Sequence, residues 1–153
     1  MNVHFQLLPE AVALADVSSK SGAIGELAAL FSRVYGLDKT MLEARFCERE
    51  ALGSTGFGRG VAIPHARVPD LKQPVAGIVK LAHPIDFAAA DGIPVNLVFG
   101  LISPEQGGMA HLRALAAISR MMRDDSIKLS LLAASGKEEL YRLLSNVIDR
   151  DAA

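Results

Sequence analysis

The chain has no tryptophan, a single cysteine and only 5% aromatic residues among its 153 positions. A lone Cys47 cannot close an internal disulfide, so nothing points to an oxidising compartment. Neither sign of charge is in excess: 16 Lys+Arg stand against 17 Asp+Glu, a formal net charge of −1. General binding to nucleic acid or to an anionic membrane usually shows as a basic excess, and that signal is missing. Long apolar runs are missing too. The longest, Val95 to Ile102, contains Asn96 and Gly100 and falls far short of the ~18 residues that a membrane span requires. Met1-Asn2-Val3-His4-Phe5 has no positive segment, and the first basic residue is Lys20, so no export signal is read. No internal repeat, low-complexity tract or linker divides the chain.

Half of the residues are hydrophobic, too many for a disordered chain. A chain of this length buries about 70% of its unfolded surface, enough for a core without staples. The expectation is one domain over residues 1–153, cytoplasmic, with no membrane insertion.

Periodicity outlines the elements. Pro9 to Ala15 reads as one or two helical turns. A helix follows, capped by Ser21, with Ile24, Leu27, Phe31 and Val34 at helical spacing and Gly36 as its stop. Thr40-Met41-Leu42-Glu43 reads as a capping box opening a second helix, with Leu42, Phe46 and Leu52 inward and Gly53 ending it. Gly53 to Gly60 carries glycine at 53, 56, 58 and 60, a composition that suits a sharply folded loop. Val61-Ala62-Ile63 is a short strand stopped by Pro64. Val75 to Leu81 and Val95 to Ile102 read as strands, the second covered on both faces, with a turn at Asp91-Gly92 between them. Helices are expected over Met109 to Met122, with Leu112, Leu115, Ile118 and Met122 inward, and over Ser126 to Ala134. A last helix opens on a second capping box, Ser135 to Glu138, with Leu140, Leu143, Leu144, Val147 and Ile148 on one face. Strands in the middle and helices on both flanks indicate an α/β sandwich: a mixed central sheet with helices on both faces.

The usual signatures of catalysis are absent. The glycine-rich loop lacks a Gly-Lys-Ser/Thr ending and precedes a strand, so it is neither a P-loop nor a dinucleotide fingerprint. There is no Gly-x-Ser-x-Gly, no His-Glu-x-x-His and no Cys-x-x-Cys. Cys47 reads as a small packed residue. Histidine is then the residue to weigh, as nucleophile, base or ligand near neutral pH. His4 lies near a terminus and reads as solvated. His83, before Pro84, suits a surface or turn role. His65 follows Pro64, whose ring fixes the backbone where a strand leaves the sheet. A functional group and an idle loop histidine are both open readings there. His111 sits in the first turn of a helix, where unpaired N–H groups favour anions; it can donate to phosphate or carboxylate, or simply face water. Arg49, within Glu48-Arg49-Glu50, can form exposed pairs worth about 0–1 kcal/mol. Turned inward it can neutralise a phosphoryl group, worth roughly 4 kcal/mol at 4 Å and an effective dielectric of 20. Ser54 and Thr55 add hydroxyls beside it. Phe57, in the glycine loop, is either a partner contact or an anchor on the core.

Arg49-Glu50-Ala51-Leu52-Gly53-Ser54-Thr55-Gly56, followed by Gly60-Val61-Ala62-Ile63-Pro64-His65-Ala66, resembles the active-site signature of enzyme IIA of the bacterial phosphotransferase system. The likeness is to its fructose/mannitol class, which includes nitrogen-regulatory proteins. His111-Leu112-Arg113-Ala114-Leu115 resembles the helix with that family's second histidine, and Glu138-Glu139-Leu140-Tyr141 is also similar. Ala66-Arg67 stands where nitrogen-regulatory members more often have Gly-Lys, and Gly107-Gly108 replaces a more polar loop. Neither departure removes a reacting group.

The resemblance implies that His65 accepts a phosphoryl group, on Nε2, from a phosphohistidine of the small phosphocarrier protein. It implies that His111 hydrogen-bonds that group, that Arg49 helps neutralise it, and that Ser54 is a supporting contact. No cofactor and no metal are implied. Transfer between ring nitrogens has a loose transition state with charge spread over three oxygens, so alignment and preorganised positive groups matter more than an acid or base. The leading expectation is a phosphorelay regulator of the nitrogen branch, binding regulatory targets according to its phosphorylation state; the absence of a permease in 153 residues favours it. A second is a sugar-transport component donating to a membrane permease's cytoplasmic domain. A third, from another class, is a metal-binding or hydrolytic protein using His65 and His111, which lacks a convincing third ligand.

Overall fold

A computed structural model describes residues 4–152; Met1 to Val3 and Ala153 lie outside them. Among the described residues the elements are β1 (Val12–Ala15), α1 (Lys20–Tyr35), α2 (Lys39–Ala51), β2 (Gly56–Gly58), β3 (Val61–Ala62), β4 (His65–Val68), β5 (Val75–Ile85), β6 (Val95–Pro104), α3 (Met109–Arg123), α4 (Asp125–Ala133) and α5 (Lys137–Ala152). The six strands form one sheet in the order β1-β5-β6-β3-β2, with β4 also on β6. β5 is antiparallel to β6, whereas β3 and β4 run parallel to it. No helix among the described residues is long and apolar enough to cross a membrane.

β6 is the spine because both of its faces are covered. Successive strand side chains point to opposite faces. Leu97, Phe99 and Leu101 enter a core with Ala114, Ile118 and Met122 of α3, Leu131 of α4, and Leu140 and Leu144 of α5. Val98 and Ile102 enter the other core with Leu27 and Phe31 of α1 and Leu42 and Phe46 of α2. The expected sandwich, a mixed sheet with helices on both faces, is the observed one.

Local readings depart from this in several places. Pro9 to Ala15 is not helical. Its last four residues form β1, parallel to β5, from Val12 opposite Ile78 to Ala15 opposite Leu81. A segment this short gains few helical bonds against a costly nucleus, and the edge of β5 offers better partners. Ser19, not Ser21, caps α1, accepting from Gly22 N at 3.0 Å. Asp38 caps α2, accepting from Met41 N at 3.2 Å, and Glu43 pairs with Lys39 instead of closing a box. Both true caps have the extended backbone that lets a side chain reach back into the first turn. The last helix is tied not through Glu138 but through Glu139, whose Oε1 accepts from Ser135 N and Oγ. Leu52 is 85% exposed, because α2 ends at Ala51 and Leu52 falls about 80° off the Leu42–Phe46 stripe. Cys47 is exposed, one step past Phe46 on the outer flank of α2. Of the α3 positions expected inward, Ile118 and Met122 are buried and Leu115 packs half-buried against the same core; Leu112 is exposed, and His111 and Ala114 are buried in its place.

The glycine-rich loop is a hairpin. β2 lies antiparallel to β3 with an irregular register, and Arg59 and Gly60 take φ of 57° and 86° to turn it. β5 extends past Leu81 to Ile85 and carries an exposed His83. After Pro64, where the sequence suggests a loop, the chain re-enters the sheet as β4.

One glycine sets the distance between a helix layer and the sheet. Gly100 of β6 faces Gly77 of β5, and a Cβ at position 100 would lie 2.7 to 2.8 Å from Leu27 and Phe31 side-chain atoms. Gly100→Ala is therefore expected to lower the unfolding free energy by about 1–3 kcal/mol through overpacking. Urea unfolding reads it as a lower midpoint at unchanged slope; a wild-type midpoint would mean that α1 shifts freely.

Candidate functional site

β3 and β4 ride on β6 in succession. Val61 and Ala62 pair with Leu97 and Val98, then His65 pairs with Leu101. Ile63-Pro64 interrupts them, and Pro64 still accepts a hydrogen bond from Leu101 N at 3.0 Å through its carbonyl. The break leaves the Ile63 carbonyl free to face the His65 ring. His65 Nδ1 lies 2.8 Å from it. A carbonyl only accepts, so Nδ1 carries the proton. On the other side of the ring, Arg49 Nε donates to His65 Nε2 at 3.2 Å. A guanidinium has no acceptor, so Nε2 presents a lone pair. Two unrelated contacts thus fix the same neutral tautomer. Arg49 is itself steadied by donating from Nη1 to Gly53 O at 2.7 Å, across the end of α2.

His111 comes from the opposite helix layer, in the first turn of α3. Its ring is buried, 5.6 Å from the His65 ring between centroids. Its Nδ1 is 2.7 Å from the buried Ser103 hydroxyl on β6. Burial pushes the His111 pKa down to about 4, with the charge of Arg67 and the neighbouring His65 adding to the effect. His65 is also lowered from its ordinary value, chiefly by burial and then by Arg49, against the opposing Ile63 carbonyl and Glu50 carboxylate. Both imidazoles are neutral at pH 7.

Three of the four residues proposed from sequence, His65, His111 and Arg49, meet in one place. Ser54 is differently engaged. Its hydroxyl donates to Phe87 O at 2.7 Å and accepts from Gly56 N at 2.9 Å, which ties the loop to the residues after β5. His4 is half-buried, and Phe57 is 37% exposed on the hairpin. Among the described residues, no group of three or more His, Cys, Asp or Glu side chains could hold a metal ion.

Two residues were missed. Arg67 is two positions beyond His65 on β4, hence on the same strand face, and its charge is felt at His111. Period-two spacing after Pro64 is the signal, hidden by reading that stretch as a loop. Glu50 looks like one half of an exposed ion pair in sequence, yet its side chain is 7% exposed. Its partner, Thr55, is five residues further along the chain, and its sequence mark, a hydroxyl beside Arg49, does not point to Glu50.

Burial of His111 has a consequence for stability. Between pH 6.5 and about 4 the unfolded chain binds more protons at this position than the folded one, so stability rises with pH across that window. The contribution is on the order of 3 kcal/mol, fully present above pH 6.5 and lost as pH falls toward 4. Urea unfolding at pH 7 and pH 4.5 should show His111→Asn losing less stability on acidification than the wild type. Equal losses would overturn the assignment.

Comparison with known proteins gives the family of the chain. The family described as "Phosphoenolpyruvate-dependent sugar phosphotransferase system, EIIA 2" matches residues 6–147. A nitrogen regulatory protein of Bradyrhizobium diazoefficiens is 41% identical over 138 residues, covering 90% of each chain. The crystal structure of the nitrogen regulatory protein IIA-Ntr from Neisseria meningitidis aligns with a TM-score of 0.83 at 34% identity, covering 90% of this chain and 95% of that one. The crystal structure of mannitol IIA from Escherichia coli shares the fold, with a TM-score of 0.77 at 19% identity over 92% of this chain and 99% of that one. The matched span contains Arg49, His65 and His111 together, and the chain belongs to the EIIA 2 family of the phosphoenolpyruvate-dependent sugar phosphotransferase system.

Proposed function

We propose that His65 is the phosphoacceptor of a cytoplasmic relay, charged by a phosphohistidine of the phosphocarrier protein, and that the protein regulates targets of the nitrogen branch through its phosphorylation state. The observation that carries this reading is the paired restraint on His65: Nδ1–H held by the Ile63 carbonyl and the Nε2 lone pair turned to Arg49.

The donor's P–N bond breaks with its electron pair returning to the donor imidazole. The Nε2 lone pair of His65 forms the new N–P bond. The Nδ1 proton stays against Ile63 O throughout, so the step needs no general base. Arg49 releases the lone pair as the phosphoryl group arrives and turns its guanidinium to the oxygens. Arg67 supplies a second positive charge. His111 donates from Nε2 when Ser103 donates its hydroxyl proton to Nδ1, a choice of tautomer that the 2.7 Å contact permits. Charge on the three phosphoryl oxygens is met by groups already in position, and that is the main catalytic need of a loose transition state.

The regulatory part of the reading is supported by the nitrogen regulatory relative, which is similar along nearly the full length of both chains. Exposed Leu52, Met109 and Leu112 lie within three residues of Arg49 or His111. A dianion arriving among them changes an apolar surface into a charged one, and a target can distinguish the two.

Reconstitution with phosphoenolpyruvate, enzyme I and the phosphocarrier tests the relay. One acid-labile phosphoryl group is expected, and His65→Ala should abolish it; labelling that survives would overturn the assignment. Arg49→Ala should slow acceptance by about 100-fold, the usual cost of removing one preorganised donor. The rate should begin to fall only at a more acid pH than a free imidazole would impose, because burial and Arg49 hold the His65 pKa below its ordinary value. Rapid donation from the phosphorylated protein to a fructose/mannitol-type permease domain would replace regulation with transport.

A further inference from the structure

Glu50 has no part in the transfer step above, yet it is built into the site more tightly than any other carboxylate near it. It sits on the last turn of α2, next to Arg49, with its side chain buried. Both carboxylate oxygens lie 2.9 Å from Thr55 N, and Oε1 accepts from Thr55 Oγ1 at 2.6 Å. Behind it, Lys20 Nζ stands 3.5 Å from Oε2 and 5.2 Å over the Phe87 ring. Thr55 is itself buried, and its carbonyl accepts from Ile63 N at 2.9 Å. The Ile63 carbonyl accepts from His65 Nδ1 at 2.8 Å. A continuous chain of hydrogen bonds therefore runs from the Glu50 carboxylate through Thr55 and Ile63 to the ring of the phosphoacceptor.

We infer that Glu50 is a positioning residue for phosphoryl transfer at His65: through Thr55 and Ile63 it holds the ring in the tautomer with Nε2 unprotonated, and its charge limits how strongly the site retains the phosphoryl group. The inference rests on the proposed role of His65. Thr55 and Ile63 link the carboxylate to the ring, and Thr55 is gripped at two atoms rather than one. Withdrawing the carboxylate frees Thr55, then the Ile63 amide, then the carbonyl that holds the Nδ1 proton.

The second half of the role follows from charge. On the proposed reading Arg49 at His65 and Arg67 beside His111 both favour a phosphoryl dianion, and with no opposing charge they would hold it too strongly for a relay. A buried carboxylate offsets them. Its field already reaches the ring, where it favours proton binding against Arg49. Lys20 neutralises it only in part, at 3.5 Å and from a partly exposed position. A relay protein must release what it accepts, and an anion beside the acceptor keeps the exchange reversible.

Two conservative substitutions separate the effects. Glu50→Gln keeps an acceptor for Thr55 N and removes the charge. Glu50→Asp keeps the charge and draws the carboxylate back from Thr55 by one methylene. The tautomer of His65 is read in the unphosphorylated protein by its ring nitrogen-15 shifts, which need no donor protein. The phosphorylated fraction at equilibrium with the phosphocarrier reads the charge. Glu50→Gln should keep the wild-type tautomer and shift the equilibrium about three- to tenfold toward phosphorylated protein. Glu50→Asp should populate the other tautomer and slow acceptance about tenfold, with the equilibrium near that of the wild type. Wild-type shifts in Glu50→Asp would overturn the positioning role, and an unchanged equilibrium in Glu50→Gln would overturn the tuning role. A wild-type protein that takes no phosphoryl group would instead defeat the relay itself, and the ring shifts would still decide whether Glu50 sets the tautomer.

Discussion

The contact between the His65 ring and the carbonyl of Ile63, 2.8 Å long and two residues apart, is what the chemistry of the site depends on. It exists because Pro64 stands between them. The proline ring restricts Ile63 to extended backbone and contributes no N–H of its own, so the chain steps off β3 and returns as β4 with position 64 only accepting, from Leu101 N. The carbonyl left over points at the imidazole. The backbone carbonyl holds the proton on Nδ1, and the guanidinium of Arg49 demands the same tautomer from the opposite edge.

That backbone geometry is held by β6, and β6 is held by two cores. One helix layer supplies Arg49 from α2, whose Leu42 and Phe46 lie in the core on one face. The other supplies His111 from α3, whose Ala114 and Ile118 lie in the core on the opposite face. The two groups meet only because the sheet between them ends its β3 pairing and begins β4 at that point. An apolar strand buried on both sides is thus more than a stabilising element. It is the common ruler for side chains arriving from separate layers, and the close approach of Leu27 and Phe31 to Gly100 keeps one of those layers near.

The parts legible in the sequence are those that local physics decides. The run Val95 to Ile102 fits a doubly covered strand, and the helical stripes of α1, α3 and α5 repeat often enough to survive an error at one position. β1 and β4 were illegible because each is four residues long and exists through its partner, β5 or β6. Missing β4 concealed Arg67, since only a strand puts positions 65 and 67 on one face. His65, His111 and Arg49 stood out through a family resemblance and their chemistry, and the structure brings them together. Ser54 stood out for its hydroxyl, but a hydroxyl in a loop serves the nearest acceptor, here Phe87 O. Glu50 was hidden by its neighbours: between Arg49 and an exposed helix end, a glutamate looks like surface, and only the fold shows Thr55 waiting for it.

The near-zero net charge of the chain conceals a local arrangement that a count cannot express. The charges that reach the two rings are Arg49 and Glu50 at His65 and Arg67 at His111, and both imidazoles are kept neutral chiefly by burial, with an arginine helping at each. A protonated His65 would have no lone pair to offer, so the same positive groups that await a phosphoryl group also keep its acceptor competent beforehand. This couples the two requirements. Removing an arginine weakens the attraction for phosphate and at the same time lets the imidazole compete better for a proton. Adding one strengthens both and slows release. On the proposed reading the working point lies between, which is where a buried anion next to the cationic pair has its use. The residue that best reports the balance is then the one that touches neither phosphate nor donor, and acts only through a threonine and a peptide carbonyl.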